Sequence, residues 1–269
     1  MAATTARCCC CGADVGARLG QHFLCDPGIL RRIAEAAVPE PGGLVLEIGP
    51  GKGTLTRALA ARAARVIAIE ADRRLAEALA AAPPAPNVTV LRGDALAVPW
   101  PHADVIAGNI PYRITSPLIE RALTPPRPVR IVFLVQREVA DRLAAPPGSA
   151  SYGALSAGVQ LVARVERLFS VKAGAFRPPP KVDSAVVRIT PLTVDRQPST
   201  VNERAARRLI QALFQRRRQQ LQRSVREAYR LDATTTGSLL QAAGLDPIAR
   251  PEQLAPHDFL TLALCLLTA

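Results

Sequence analysis

The run Asn109-Ile110-Pro111-Tyr112 sets a carboxamide, a rigid turn and an aromatic ring side by side at the end of an apolar segment. That combination suits chemistry on an exocyclic base amine. Such an amine is a poor nucleophile, because its lone pair is delocalised into the ring. The Asn109 amide oxygen and the Ile110 carbonyl are acceptors that would hold its hydrogens and localise the pair. Pro111 would fix the backbone, and Tyr112 offers a face on which a base drawn out of its helix can stack. A strand closed by an ordinary Asn-x-Pro turn uses the same residues, so the chemistry depends on what surrounds them.

Upstream, Leu44-Val-Leu-Glu-Ile-Gly-Pro-Gly-Lys-Gly-Thr-Leu-Thr56 is a short apolar run that ends in glycines at 49, 51 and 53 and then turns helix-like. Gly49 and Gly51 would permit a sharp turn and close approach of a ligand to the backbone. A dinucleotide fingerprint would need glycine where Thr54 stands, and a phosphate-binding P-loop would need Gly-Lys-Ser/Thr where the chain has Gly51-Lys52-Gly53. Both miss by one residue. The candidate left is S-adenosylmethionine, which carries no phosphate. Two further apolar runs end in acids. Glu70 closes Arg65-Val-Ile-Ala-Ile-Glu70, about twenty residues beyond the glycines, where a carboxylate can accept from ribose hydroxyls. Asp94 closes Val88-Thr-Val-Leu-Arg-Gly-Asp94 and could accept from an adenine amine of the cofactor. Either acid alone reads equally as a strand end or a helix cap.

Taken together, these segments resemble the rRNA adenine N6-dimethyltransferases, most closely the KsgA/RsmA group that modifies small-subunit rRNA. The likeness runs from Arg18 onward through Leu19-Gly-Gln-His-Phe-Leu24, Glu47-Ile-Gly-Pro-Gly-Lys-Gly53, Gly93-Asp-Ala-Leu96, Gly108-Asn-Ile-Pro-Tyr112, Val135-Gln-Arg-Glu-Val139, Tyr152-Gly-Ala-Leu155 and Phe176-Arg-Pro-Pro-Pro-Lys-Val-Asp-Ser184. The resemblance implies an α/β, Rossmann-like class I methyltransferase with a mostly parallel seven-stranded sheet and a small C-terminal all-helical domain. It implies cofactor contacts at His22, Leu24, Gly49, Glu70, Asp94 and Asn109, a reaction site at Asn109, Pro111 and Tyr112, and N6,N6-dimethyladenosine as product. His22 stands where the family usually has Asn, and an imidazole can still donate to a cofactor carboxylate. Gly-Lys-Gly is closer to the Erm relatives, which methylate large-subunit rRNA; Phe214-Gln-Arg-Arg-Arg-Gln-Gln-Leu221 is closer to the KsgA arginine-rich helix. The Erm activity, and an rRNA-binding assembly factor without activity, are the alternatives.

Composition agrees with a nucleic-acid partner. The 269 residues carry 34 basic against 22 acidic side chains, and from Arg196 to Arg230 ten arginines meet only two glutamates. Leu209, Ile210, Leu213, Leu221 and Val225 run beside them as an apolar stripe, so the segment reads as a packed helix with an RNA face. Arg216, Arg217, Arg218 and Arg223, with Lys181, are the expected RNA contacts, and the affinity should fall with salt. Aromatics make up only 4% of the chain, which favours shape and phosphate contacts over broad base stacking. Phe23 and Phe176 are candidates to bracket a base with Tyr112, and Phe176 reads equally as a core plug.

The contiguous Cys8–Cys11 run suits neither a disulfide framework nor a metal site, and no metal is expected. With no secretory signal or membrane-length apolar stretch, the chain reads as a cytoplasmic monomer. Residues 1–16 read as a disordered extension, 17–192 as the methyltransferase domain and 200–269 as a helical RNA-binding domain, joined by a polar linker from Pro191 to Thr200. Strands are expected at 44–48, 65–70, 88–92, 104–108, 130–135, 159–169 and 185–190. Helices fall between them, and the helical tail should break at Thr234–Gly237, Gly244 and Pro247.

Overall fold

The computed structural model describes residues 21–193 and 198–268. The expected extension 1–16, with Cys8–Cys11, lies outside them. The sheet strands are β2 (Leu44–Ile48), β3 (Arg65–Glu70), β4 (Val88–Arg92), β5 (Val105–Asn109), β6 (Arg130–Gln136), β7 (Ala163–Val171) and β9 (Ser184–Pro191). They run in the order β4-β3-β2-β5-β6-β9-β7. β2 to β6 pair in parallel, and β9 pairs antiparallel with β6. This is the mostly parallel seven-stranded sheet of a class I methyltransferase. Parallel strands covered on both faces need continuous apolar runs, and β2, β3 and β6 supply them, being buried along nearly their full length.

Helices occupy the crossovers. α1 (Pro27–Ala37) starts where Asp26 accepts from the Ile29 N–H with Pro27 in the first turn, a cap contributing about 1 kcal/mol. It turns Leu30, Ile33, Ala34 and Ala37 inward, at the spacing of one helix face. α2 (Thr54–Ala60), α3 (Arg73–Ala81) and α4 (Thr115–Ala122) follow. A two-stranded clasp, β1 (Phe23–Leu24) against β8 (Phe176–Arg177), stands apart from the main sheet.

The contacts group the chain into two compact units. Of the described residues, one holds those up to Ala140 with Arg167–Ile189, and the other holds Asp141–Glu166 with those from Thr190 on. α5 (Arg137–Leu143) begins in the first and ends in the second. In the second unit, α6 (Ala154–Gln160), α7 (Thr200–Phe214), α8 (Leu221–Tyr229), α9 (Ala233–Ala242) and α10 (Pro256–Thr268) pack together. Tyr152 is fully buried there, its hydroxyl donating to the Leu254 carbonyl and its ring edge-on to Phe214.

Two elements differ from the sequence reading. The stretch expected as a strand from Val159 starts as the end of α6, because Gly153 opens a helix whose backbone N–H donates to Ser156 Oγ, and β7 begins only at Ala163. The break expected at Thr234–Gly237 lies inside α9. Asp232 caps that helix by accepting from Thr235, and Thr236 is buried and hydrogen-bonded back to Asp232, so threonines that suggested a loop form a first turn. The chain turns one step earlier, at Arg230, whose left-handed φ of 55° ends α8. Gly244, at φ 69°, does end α9. Among the described residues no helix is long and apolar enough to cross a membrane.

Candidate active site

The glycine turn and the Asn-Ile-Pro-Tyr turn leave the carboxyl ends of the neighbouring strands β2 and β5, the position at which open parallel sheets hold ligands. They meet. A side chain built on Gly49 would lie 3.8 Å from the Asn109 carbonyl oxygen and 4.0 Å from Pro111. Gly51 adopts φ 58°, and a Cβ there would come within 2.9 Å of the Phe23 ring. The turn is therefore restricted to glycine by conformation and by space.

Glu70, at the end of β3, is 5% exposed and grips this turn: one oxygen accepts from the Gly51 N–H at 2.9 Å, the other from the Asp72 N–H at 2.9 Å. Two such bonds leave acceptor positions open on the carboxylate. Asp94 follows β4 and is exposed. Its Oδ1 accepts from the Leu96 N–H at 2.8 Å, and its loop is held by Trp100 donating to the Ala95 carbonyl and by Arg121 donating to the Leu96 and Val98 carbonyls.

The β1–β8 clasp ties the two turns together. The Asn109 amide NH2 donates to the His22 carbonyl at 2.8 Å, which leaves Oδ1 with no partner among the described residues. Thr54 donates to the Leu24 carbonyl and the Phe23 ring lies against Gly51, with the Lys52 ammonium 5.0 Å from that ring. The His22 ring faces Tyr112 at 6.0 Å, and its Nδ1 sits 2.9 Å from the Pro178 carbonyl, so Nδ1 is the protonated nitrogen. Tyr112 is half-buried, with its hydroxyl 2.8 Å from Ser184 Oγ; burial raises the phenol above its ordinary value and the Ser184 bond partly offsets this. Pro111 is exposed and Leu24 is buried. His22, Leu24, Gly49, Gly51, Glu70, Asn109, Pro111 and Tyr112 thus form one connected neighbourhood, joined to the Asp94 loop by the Gly93 N–H donating to the Glu70 carbonyl.

Phe176 is fully buried in the core and cannot bracket a base. The aromatic partner of Tyr112 is His22. Sequence reasoning also passed over Ser184, although it ends a recognised motif, and over Glu47 and Thr56 beneath the glycine turn. Both are buried, and Glu47 Oε2 and Thr56 Oγ have no hydrogen-bond partner among the described residues. Burial pushes the Glu47 carboxyl up to about 8, and the neighbouring Glu70 raises it further. Two carboxylates, Glu70 and Asp94, beside a glycine turn fit a cationic, phosphate-free ligand, and S-adenosylmethionine, with its sulfonium and ammonium, is one.

The expected RNA contacts divide. Arg216 and Arg223 both pair with Glu227, at 3.0 and 2.8 Å. Arg217 binds Glu252 and donates to the Ala150 carbonyl. Arg218 and Lys181 are exposed and pair with no carboxylate among the described residues.

Residues 14–265 match the family model described as ribosomal RNA adenine dimethylase. A ribosomal RNA small subunit methyltransferase A of Synechococcus sp. (strain WH7803) is 40% identical over 91% of this chain and 92% of its own. The protein of that name from Phenylobacterium zucineum is 42% identical over 91% and 85%. Among solved structures, a dimethyladenosine transferase from Plasmodium falciparum superposes with a TM-score of 0.78 at 28% identity, covering 90% of this chain and 96% of that one. The 23S rRNA methyltransferase ErmE superposes at 0.72 with 30% identity, covering 91% and 99%. With its site geometry and a match along nearly all of its length, this chain belongs to the ribosomal RNA adenine dimethylase family.

Proposed function

We propose that the chain transfers methyl groups from S-adenosylmethionine to N6 of adenines in small-subunit rRNA, giving N6,N6-dimethyladenosine during assembly of that subunit, and that it works as a monomer in the cytoplasm. The observation that carries this reading is the contact between the glycine turn and the Asn109 turn at adjacent strand ends, with Asn109 Oδ1 left open by the bond to His22. S-adenosylmethionine supplies an electrophilic methyl on sulfur. Gly49, Gly51, Glu70 and Asp94 would hold it together with His22 and Leu24. Asn109 Oδ1 and the Ile110 carbonyl accept from the adenine amine and direct its lone pair. Tyr112, braced by Ser184, stacks on the base. Alignment is the main contribution, since it converts a bimolecular displacement into a near-unimolecular one, and no covalent enzyme intermediate is required. Arg216, Arg217, Arg218, Arg223 and Lys181 serve RNA binding, with Arg218 and Lys181 the ones open to phosphate.

A second reading, methylation of large-subunit rRNA, draws on Gly51-Lys52-Gly53 and on the superposition with ErmE. The 40% and 42% identities to small-subunit enzymes favour the first. The deciding experiment incubates the protein and labelled donor with unmethylated small or large subunits and identifies modified nucleosides by mass spectrometry. Dimethyladenosine in the small subunit is expected. Label in the large subunit alone supports the second reading, and label in neither points to a binding factor without activity.

A further inference from the structure

The arginines singled out in the sequence are largely occupied by carboxylates, yet another basic face of the same unit is not. On α7 and its C-cap, Arg204, Arg208, Gln211 and Gln215 are all exposed and recur at i, i+4, i+7 and i+11, which places them in one line along the helix. The opposite side of α7, with Ala206, Leu209, Ile210 and Leu213, is buried. The only acid of α7, Glu203, is turned inward and bonded to Arg207 at 2.8 Å. The line therefore carries cations and amides without a neutralising carboxylate, and the exposed Arg218 follows a few residues after it in the chain. Neither Arg204 nor Arg208 has a carboxylate partner among the described residues.

One aromatic ring belongs to this face. Tyr229, the last residue of α8, is 37% exposed, while Tyr152 is fully buried. The positive charge of Arg208 reaches the Tyr229 phenol from α7, and α7 packs on α8. Arg226 and Arg230, both exposed, stand beside Tyr229 on its own helix end. An exposed ring among arginines is a poor surface for an aliphatic partner and a good one for a base whose phosphates the arginines hold.

We propose that the outer line of α7, from Arg204 through Arg208, Gln211 and Gln215 toward Arg218, is a track for the rRNA backbone, and that Tyr229 stacks on one unpaired base beside it. This rests on the reading of the protein as an rRNA methyltransferase and names where the RNA runs on its helical unit. The arginines supply phosphate neutralisation that depends on salt, and the glutamines supply hydrogen bonds that do not.

The test measures binding of wild-type protein and of the variants R204A/R208A, Y229A and Y229F to unmethylated small ribosomal subunits across a salt series. Donor affinity by calorimetry serves as the check that each variant is folded. R204A/R208A should bind at least tenfold more weakly near 0.1 M salt, and the slope of log affinity against log salt should fall by about 2. Y229A should lose about tenfold with an unchanged slope, and Y229F should restore most of that loss. Wild-type affinity and slope in R204A/R208A would overturn the track. A loss in Y229F equal to that in Y229A would overturn the stacking, because the ring is retained there. Equal weakening of all variants toward heparin and toward subunits would reduce the face to a general polyanion surface and overturn it as well. Failure of the parent reading looks different: wild-type protein would then bind subunits and leave no methyl group on either RNA.

Discussion

Asn109 is held with its NH2 on the His22 carbonyl, so its open oxygen is defined before any base arrives. Asn109→Ala should lower methylation of small subunits by about a hundredfold or more while subunit binding stays near wild type, as followed by label incorporation and a binding titration. Glu47 yields a prediction of the opposite sign to the usual acid. Its folded-state value is raised to about 8 from an ordinary 4.5, so the native chain binds the extra proton and stability contributed below pH 4.5 is lost as pH climbs through 8. The slope in that window approaches about 1.4 kcal/mol per pH unit for a single group. Glu47→Gln should flatten this part of the stability profile and leave the variant more stable than wild type at pH 8, with urea unfolding from pH 5 to 8 as the measurement. Among the residues gathered around the two turns, the glycines, Glu70, Asn109 and Tyr112 were legible from motif and spacing, and His22 and Leu24 only through the family resemblance. Ser184 and Glu47 were not, because their importance comes from partners 72 and 23 positions away in the chain, Tyr112 and Glu70, that only the sheet brings near.

At the level of elements, apolar runs identified β2 to β6 to within a residue or two. The misses have local causes. Glycine and serine before Val159 act as a helix start, and threonines after Asp232 act as a capped first turn, both of which compete with a loop or strand reading on composition alone. Tight strand packing makes its own prediction. A Cβ on Gly108 would lie 2.5 Å from the Ile48 carbonyl oxygen of the neighbouring strand, so Gly108→Ala should cost about 1–3 kcal/mol in urea unfolding. Arg217 and Arg218 are adjacent and should behave differently. Arg217 joins the end of α7 to Glu252 and Ala150, so Arg217→Ala should lower the melting temperature by about 2–4 °C, from a loss of about 1 kcal/mol. Arg218→Ala should leave the melting temperature unchanged and weaken RNA binding alone.

For the molecule as a whole, the excess of arginine over acid was plain in the sequence, but its distribution between structure and surface was not. Ion pairs with Glu227 and Glu252 take up three of the four arginines that drew attention first. The net charge of +12 remains, and affinity for ribosomal subunits should fall steeply between 50 and 200 mM salt, with a smaller slope than the count of arginines would suggest. A slope near zero would contradict an RNA-binding surface of any kind.

The segment His22 to Leu24, which carries the clasp, has a further consequence. The same few residues touch Gly51, supply the acceptor for Asn109 and zip onto Phe176 and Arg177. On the proposed reading the donor and base sites would share this single wall, and a protease that clips ahead of α1 should disable both in one cut.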